Sequence, residues 1–366
     1  MDTIYVVVPY APDSIIAYRA QRLMRDLVGD FEIRTFFKSK RGWRRWIEIG
    51  REIWSTRPKL IYAFKPDKWA CFAFLLGSMI GAKRMLDTGD VRHALARARG
   101  AGFWACLTER LFEVGNLHWA DAITVRGTEH RRLLASHGYR NVFVIPDGVD
   151  PRHSRYVYDP ALRRRIVGDR DGVTVGVMGT THWNRKRKMC YGWELVEVLH
   201  LLRELPLFGI MIGEGSGLPH LKRRAEECGV RDRIAFVGRL PYEEVPRYVS
   251  LMDIALSTQT NDLVGQVRTT GKLPEYLACG RYVLASRVGE AKFVLPEEML
   301  VPYCGEGRDD TYPERLARRI RALVRDRARL KRGGVGPGIV AERFDYGVLS
   351  RKVRQIVEMV LRPGEW

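Results

Sequence analysis

Short apolar runs rich in β-branched residues recur along this chain, and stretches of helical length separate them. Residues 4–9, 31–37, 59–63, 82–87, 120–125 and 141–145 read as strands, with helices over 17–27, from Trp69 onward and over 129–137. Strands alternating with helices form parallel βαβ units. A polar, arginine-rich stretch at 151–171 suits a surface helix and a linker, after which the alternation restarts. Strands over 172–179, 207–212, 233–238, 253–257 and 283–285 flank helices over 192–202, 218–228, 245–252 and around Glu275. A length of 366 residues with 46% hydrophobic content supports about two domains with sizeable cores.

The stretch richest in chemistry is Arg268-Thr-Thr-Gly-Lys-Leu-Pro-Glu275-Tyr-Leu-Ala-Cys-Gly280, followed by Tyr282-Val-Leu-Ala-Ser286 and Gly289. Thr269, Thr270 and Gly271 place hydroxyls and flexible backbone where a helix begins. Unpaired N–H groups there favour anions by about 0.3–1 kcal/mol, rising to about 2 when partly buried. A phosphate-bearing ligand is the expected partner. Gly280 ends the helix, and the following strand directs its C-terminal end toward the ligand crevice of an open α/β sheet.

This segment resembles the signature of retaining glycosyltransferases of family four, which transfer a sugar from a nucleotide-sugar donor. The family carries "EYLACG" or "EAMACG", then "PVVAS" and a glycine, in the order found here from Glu275 to Gly289. Residues 120–150 resemble the family's "ADAVIVVS" and "VIPNGVD", with Asp147 in place of asparagine, and Arg233 to Leu240 resembles "VFLGRV". One departure concerns catalysis. The family usually has a second glutamate eight positions before the ribose-binding one, and that position here is Val267.

The resemblance implies an α/β GT-B fold, with two Rossmann-like domains facing each other across a cleft and a C-terminal helix returning to the first. The expected boundaries are 1–160 for acceptor binding, 161–345 for the nucleotide sugar and 346–366 for the returning helix. Glu275 would hold the donor ribose. Thr269, Thr270, Gly271 and Lys272, with the turns at Gly179, Thr180, Gly213 and Gly215, would bind the donor, the amides around Thr270 and Gly271 at its diphosphate and Arg239 and Leu240 at its base. In the loop after the strand at 172–179 the family places an arginine and a lysine on the diphosphate. Arg185 and Lys188 are the candidates, with Lys186 and Arg187 alternatives in the same cationic run. Asp90, in Asp87-Thr-Gly-Asp90 at a strand end, either meets the acceptor hydroxyl or belongs to a structural turn. Pro9-Tyr-Ala-Pro-Asp13-Ser14 and Arg19 stand where the family has a glycine-rich acceptor loop, without its glycines.

The expected reaction is transfer of a hexose from a nucleoside diphosphate sugar to a hydroxyl of a glycan or lipid-linked acceptor, with retention of configuration. A nucleotide-sugar epimerase of the same fold and a non-catalytic sugar-nucleotide or membrane-surface binding protein are the alternatives. No metal and no permanently bound cofactor is expected, since no acidic pair follows a hydrophobic strand.

The net charge of +19 calls for an anionic partner or serves solubility. No zinc-finger, RRM or basic-zipper signature appears, so no specific nucleic acid is expected. Basic residues and tryptophans interleave from Lys38 to Arg51 and Trp54, a pattern suited to an anionic membrane surface or to a solvated helix with inward-packed tryptophans. The charge-free run between Lys68 and Lys83 is shorter than the roughly 20 residues that span a bilayer. It reads as a helix packed on the sheet or a shallow membrane-dipping segment. Six cysteines without short paired spacing and an N-terminus without a cationic leader suit a cytoplasmic protein, peripheral at the inner face of a membrane. A strongly cationic helix is expected between 311 and 330, and a C-terminal one over 343–361.

Overall fold

The computed structural model describes residues 1–37, 42–168 and 171–362. They divide into two compact units, Met1–Gly148 with Val267–Thr269 and Asp345–Trp366, and Val149–Gln266 with Thr270–Phe344. The first unit thus ends at Gly148, and residues 149–160, expected with it, group with the second.

The first unit is built on strands β1 (Asp2–Val8), β2 (Phe31–Phe37), β3 (Leu60–Ala63), β4 (Lys83–Thr88), β5 (Ala122–Val125) and β6 (Val142–Val144). They pair in parallel in the order β2-β1-β3-β4-β5-β6. Its helices are α1 (Ile15–Met24), α2 (Arg44–Thr56), α3 (Lys68–Met79), α4 (Arg92–Ala98), α5 (Phe103–Trp119) and α6 (Thr128–Ser136). The second unit carries β7 (Val173–Met178), β8 (Leu207–Ile212), β9 (Ile234–Gly238), β10 (Ile254–Ser257), β11 (Tyr282–Ser286) and β12 (Leu300–Val301), all parallel, in the order β12-β11-β10-β7-β8-β9. Around them lie α7 (Pro160–Val167), α8 (Trp193–Leu201), α9 (Leu218–Glu227), α10 (Val245–Val249), α11 (Leu263–Gln266), α12 (Lys272–Ala278), α13 (Ala291–Val294), α14 (Tyr312–Arg325) and α15 (Gly336–Arg343). The last helix, α16 (Tyr346–Leu361), belongs to the first unit and packs on α1.

The sequence explains these elements locally. β1, β3 and β5 are buried on both faces, as parallel strands covered by helices must be. Asp67, Asp159 and Asp345 cap α3, α7 and α16 by accepting backbone N–H bonds of 3.0, 2.8 and 2.7 Å. The cationic stretch after residue 311 folds as α14, whose apolar stripe Leu316, Ile320 and Leu323 is buried.

Several helices escape the sequence reading, among them the short α11, α13 and α15. Helices α4 and α5 were unexpected because α5 buries Glu113 and Asn116, so its apolar residues do not mark the core-facing side. The basic tryptophan cluster also divides. Lys38 to Arg41 lie outside the described residues, and Arg45 and Trp46 turn inward, Trp46 lying 4.4 Å from Trp69 and 4.9 Å from Phe72 between ring centroids. Trp43 and Trp54 remain exposed.

Candidate functional site

In each sheet the strand order reverses next to the first strand of the unit, between β1 and β3 and between β7 and β10. Ligands of open α/β sheets bind beyond the C-terminal strand ends at such points.

In the second unit, Tyr276 on α12 accepts the Met178 N–H at 2.6 Å through its hydroxyl, which ties α12 to the end of β7. Glu275 is thereby buried. Its Oε1 accepts a 3.0 Å bond from the Tyr242 hydroxyl, whereas its Oε2 is buried without a hydrogen-bond partner. Burial pushes the carboxyl pKa up, against the opposing influence of Ser154, Tyr242 and His153. The Ser154 hydroxyl is buried beside the same carboxyl, and the His153 and Tyr242 rings stack 4.6 Å apart. An orphan buried carboxylate oxygen is costly unless something else donates to it. Two vicinal hydroxyls of a ligand would satisfy it. His153, Ser154 and Tyr242 were not singled out in the sequence, where nothing in their spacing relates them to Glu275.

Lys272 lies one helical turn before Glu275, so the two side chains share a face of α12. Its ammonium stands 3.2 Å from the centroid of the Tyr191 ring, close to Gly179 at the end of β7. Beside it Glu194 is fully buried, with a pKa raised by that burial and opposed in part by the Lys272 charge. Glu275, Lys272 and Gly179 thus come together, with Tyr191 and Glu194 as additions. The Thr270 hydroxyl is buried without a partner, and Gly271 is exposed.

The cationic loop is sorted differently from the expectation. Arg185 and Lys188 are exposed. Arg187 donates to the Thr260 hydroxyl at 3.2 Å and forms a short ion pair with Asp262, beyond the end of β10. Thr180 is exposed. Gly213 and Gly215 serve packing: a Cβ on Gly213 would lie 2.1 Å from the Gly179 carbonyl oxygen, and one on Gly215 2.7 Å from that of Thr181. Arg239 is exposed and pairs loosely with Glu214 at 3.6 Å, and Leu240 is half-buried. A separate concavity of about 720 Å³, lined by Arg155, Tyr156, Cys279, Arg281 and Lys331 among others, includes neither Glu275 nor Lys272.

In the first unit, Asp90 accepts a 2.6 Å bond from Arg268. Burial acts to raise its pKa, but Arg268, Arg126 and Arg92 together hold it below the ordinary value. A carboxylate so stabilised is a weak base. Arg19 is fully buried, donating to Asp87 at 2.8 Å and to the Ile145 and Pro146 carbonyls at 2.6 and 2.5 Å. It braces α1 against the ends of β4 and β6, so it does not offer its guanidinium to a ligand. Thr269 and Val267 group with this unit. The Thr269 hydroxyl donates to the Arg126 carbonyl, and Val267 is buried.

Among the described residues there is no cluster of three or more His, Cys, Asp or Glu arranged to hold a metal ion, and no helix is long and apolar enough to cross a membrane. All six cysteines are unpaired.

Two parallel six-stranded sheets with flanking helices, each with its polar residues gathered at the C-terminal strand ends, define the GT-B class of architecture. Residues 173–326, less than half of the chain, match the family described as glycosyl transferases group 1. The chain is similar to 2-deoxystreptamine glucosyltransferase of Streptomyces kanamyceticus, with 26% identity over 41% of this chain and 38% of that protein. It is also similar to the GDP-mannose-dependent α-(1-6)-phosphatidylinositol monomannoside mannosyltransferase of Mycolicibacterium smegmatis, with 28% identity over 52% of this chain and 49% of that protein. It thus spans half or less of the length of these relatives. The crystal structure of Anabaena Alr3699/HepE in complex with UDP-glucose shares the fold, with a TM-score of 0.76, 13% identity, and 98% of this chain and 100% of that one covered.

Proposed function

We propose that the protein transfers a hexose from a nucleoside diphosphate sugar to a hydroxyl of a glycan or lipid-linked acceptor, with retention of configuration. The observation that carries this reading is the buried, unpartnered Oε2 of Glu275 one helical turn from the Lys272 ammonium. Glu275 accepts from the two ribose hydroxyls, charge-assisted bonds of about 1.5–3 kcal/mol each. Lys272 faces the diphosphate, and the exposed Arg185 and Lys188 close on it from the neighbouring loop. As the bond from the anomeric carbon to the β-phosphate oxygen breaks, these cations stabilise the growing negative charge. The acceptor oxygen bonds to the same face of the sugar carbon, and its proton passes to the departing phosphate. A relative named for mannosyl transfer to a phosphatidylinositol mannoside supports a lipid-linked acceptor, and one named for glucosyl transfer to 2-deoxystreptamine supports a small polyhydroxylated one.

A calorimetric panel of UDP, GDP and their hexose conjugates tests the donor site, together with acceptor-dependent release of the nucleoside diphosphate. Glu275→Gln is expected to weaken free nucleoside diphosphate and intact donor alike. Lys272→Met is expected to lower turnover more than donor affinity, because its partner charge develops in the transition state. Unchanged nucleotide affinity in Glu275→Gln would remove the ribose assignment. Isomerisation of the donor without acceptor would make the protein an epimerase instead.

A further inference from the structure

Helix α5 is built inside out. Its inward side carries Glu113, which accepts from the Arg92 and His93 N–H groups at 2.7 and 3.4 Å, and Asn116, which donates to the Asp67 and Phe112 carbonyls at 3.1 and 2.7 Å. The adjoining Glu109 pairs with Arg92 at 3.0 Å. Two polar groups of α5 are therefore spent inside the first unit, beside the buried Leu117. Its outward side is left with Phe103 and Trp104, 73% and 76% exposed, followed by Leu111 and Val114.

Helix α5 is flanked by α3, and α3 in turn by α2. They add exposed Leu75 and Met79 from α3, and Trp43, Ile47 and Trp54 from the start and length of α2. Over half of the exposed large apolar side chains among the described residues lie on this layer of three helices. Its exposed charges are Arg44, Arg51, Lys68 and Arg110, whereas its carboxylates are half-buried or buried, with Glu52, Glu109 and Glu113 paired to Arg34, Arg92 and His93.

We propose that the outward face of α2, α3 and α5 docks on an anionic lipid bilayer, with Phe103, Trp104 and Leu111 as the apolar anchor. Cations mixed with indoles and aliphatic side chains match the headgroup region, where the indole lies at the interface and the cation meets lipid phosphate. A bilayer also accepts protruding side chains without a complementary protein surface. A second copy of the chain fits less well, since a two-fold contact would set this cationic face against itself. The anchor lies on α5, outside the Lys38 to Trp54 cluster that the sequence suggests, and it excludes the inward-turned Arg45.

The inference stands whether or not the protein transfers a sugar, because its readout is binding alone. Flotation of the full chain with phosphatidylcholine vesicles, with and without about a third phosphatidylglycerol, is the experiment. The expected result at 0.1 M salt is capture by the anionic vesicles only, weakened by Arg110→Glu and reduced at least tenfold by Trp104→Ser with Leu111→Ser. These side chains are exposed, so circular dichroism and Tm of the variants should match the parent. Absence of capture by anionic vesicles, or capture unaffected by the double substitution, overturns the proposal. So does a dimer by light scattering that the same substitutions abolish, which would make the face a self-interface.

Discussion

Glu275 and His130 show how burial can outweigh neighbouring groups in setting chemistry at single residues. For Glu275, burial lifts the carboxyl pKa, so the native state keeps its proton to higher pH than the unfolded chain does. Native stability from this group is therefore full below the ordinary carboxylate range and declines as pH rises through the lifted value. Ribose binding runs the other way, because only the ionised carboxylate accepts from two hydroxyls. Nucleoside diphosphate affinity is thus expected to increase through that window, and calorimetry across it should show the increase vanish in Glu275→Gln. His130 has the opposite shift, since burial lowers its pKa from 6.5 to about 4. It stays neutral when folded, while the unfolded chain takes up a proton below pH 6.5. Stability is then present above that pH and lost as it falls toward 4, by on the order of 3 kcal/mol at about 1.4 kcal/mol per unit. Urea midpoints measured between pH 7 and 4 should fall in the parent and flatten in His130→Gln.

At the scale of elements, the turns after β7 and β8 are interlocked. Gly179 donates its N–H to the Ile212 carbonyl at 2.9 Å, and Thr181 donates to Glu214 at 3.0 Å. Gly213 sits at φ +128°, with the Gly179 carbonyl against the place where its Cβ would be. The glycine-rich turn thus fixes how closely the two strand ends approach, and through Gly179 it sets the floor beside Lys272. Gly213→Ala would add about 1–3 kcal/mol of backbone strain and about 1–3 kcal/mol of overpacking. Its expected outcome is a drop in Tm with nucleotide binding weakened by more than the drop alone explains. A Tm within a degree of the parent would show that the turn is loose. The same scale accounts for α4, whose first N–H groups have no capping side chain of their own and are served by Glu113 from α5.

Across the whole molecule, the excess of 62 basic over 43 acidic residues gives a positive field that is not confined to the candidate sites. Such a field attracts any polyanion, and it weakens as the Debye length shortens from about 10 Å at 0.1 M salt to about 3 Å at 1 M. The protein is expected to be retained on heparin at 0.1 M salt, to elute well before 1 M, and to bind DNA without sequence preference. Fluorescence anisotropy with two unrelated duplexes checks this, and a difference of tenfold or more between them would point to a specific nucleic-acid site.

Strand and helix alternation, the parallel sheets and the Glu275 signature were legible from the chain itself, because burial on both faces leaves uninterrupted apolar runs and a short motif keeps its spacing. Lys272 was also named, within the donor-binding stretch from Thr269. What faces Glu275 and Lys272 was decided only by tertiary structure: Tyr242 and His153 arrive from other segments, and Tyr191 and Glu194 from the far side of the cationic loop. The anchoring of Arg187 in that loop depended on Asp262, more than seventy positions away in the chain. Helix α5 was hidden for a related reason. Its polar side finds partners on α4 and near α3, so periodicity alone points its apolar stripe the wrong way. Sequence patterns report what a segment would bury by itself, whereas a side chain's final environment is set by residues brought from elsewhere.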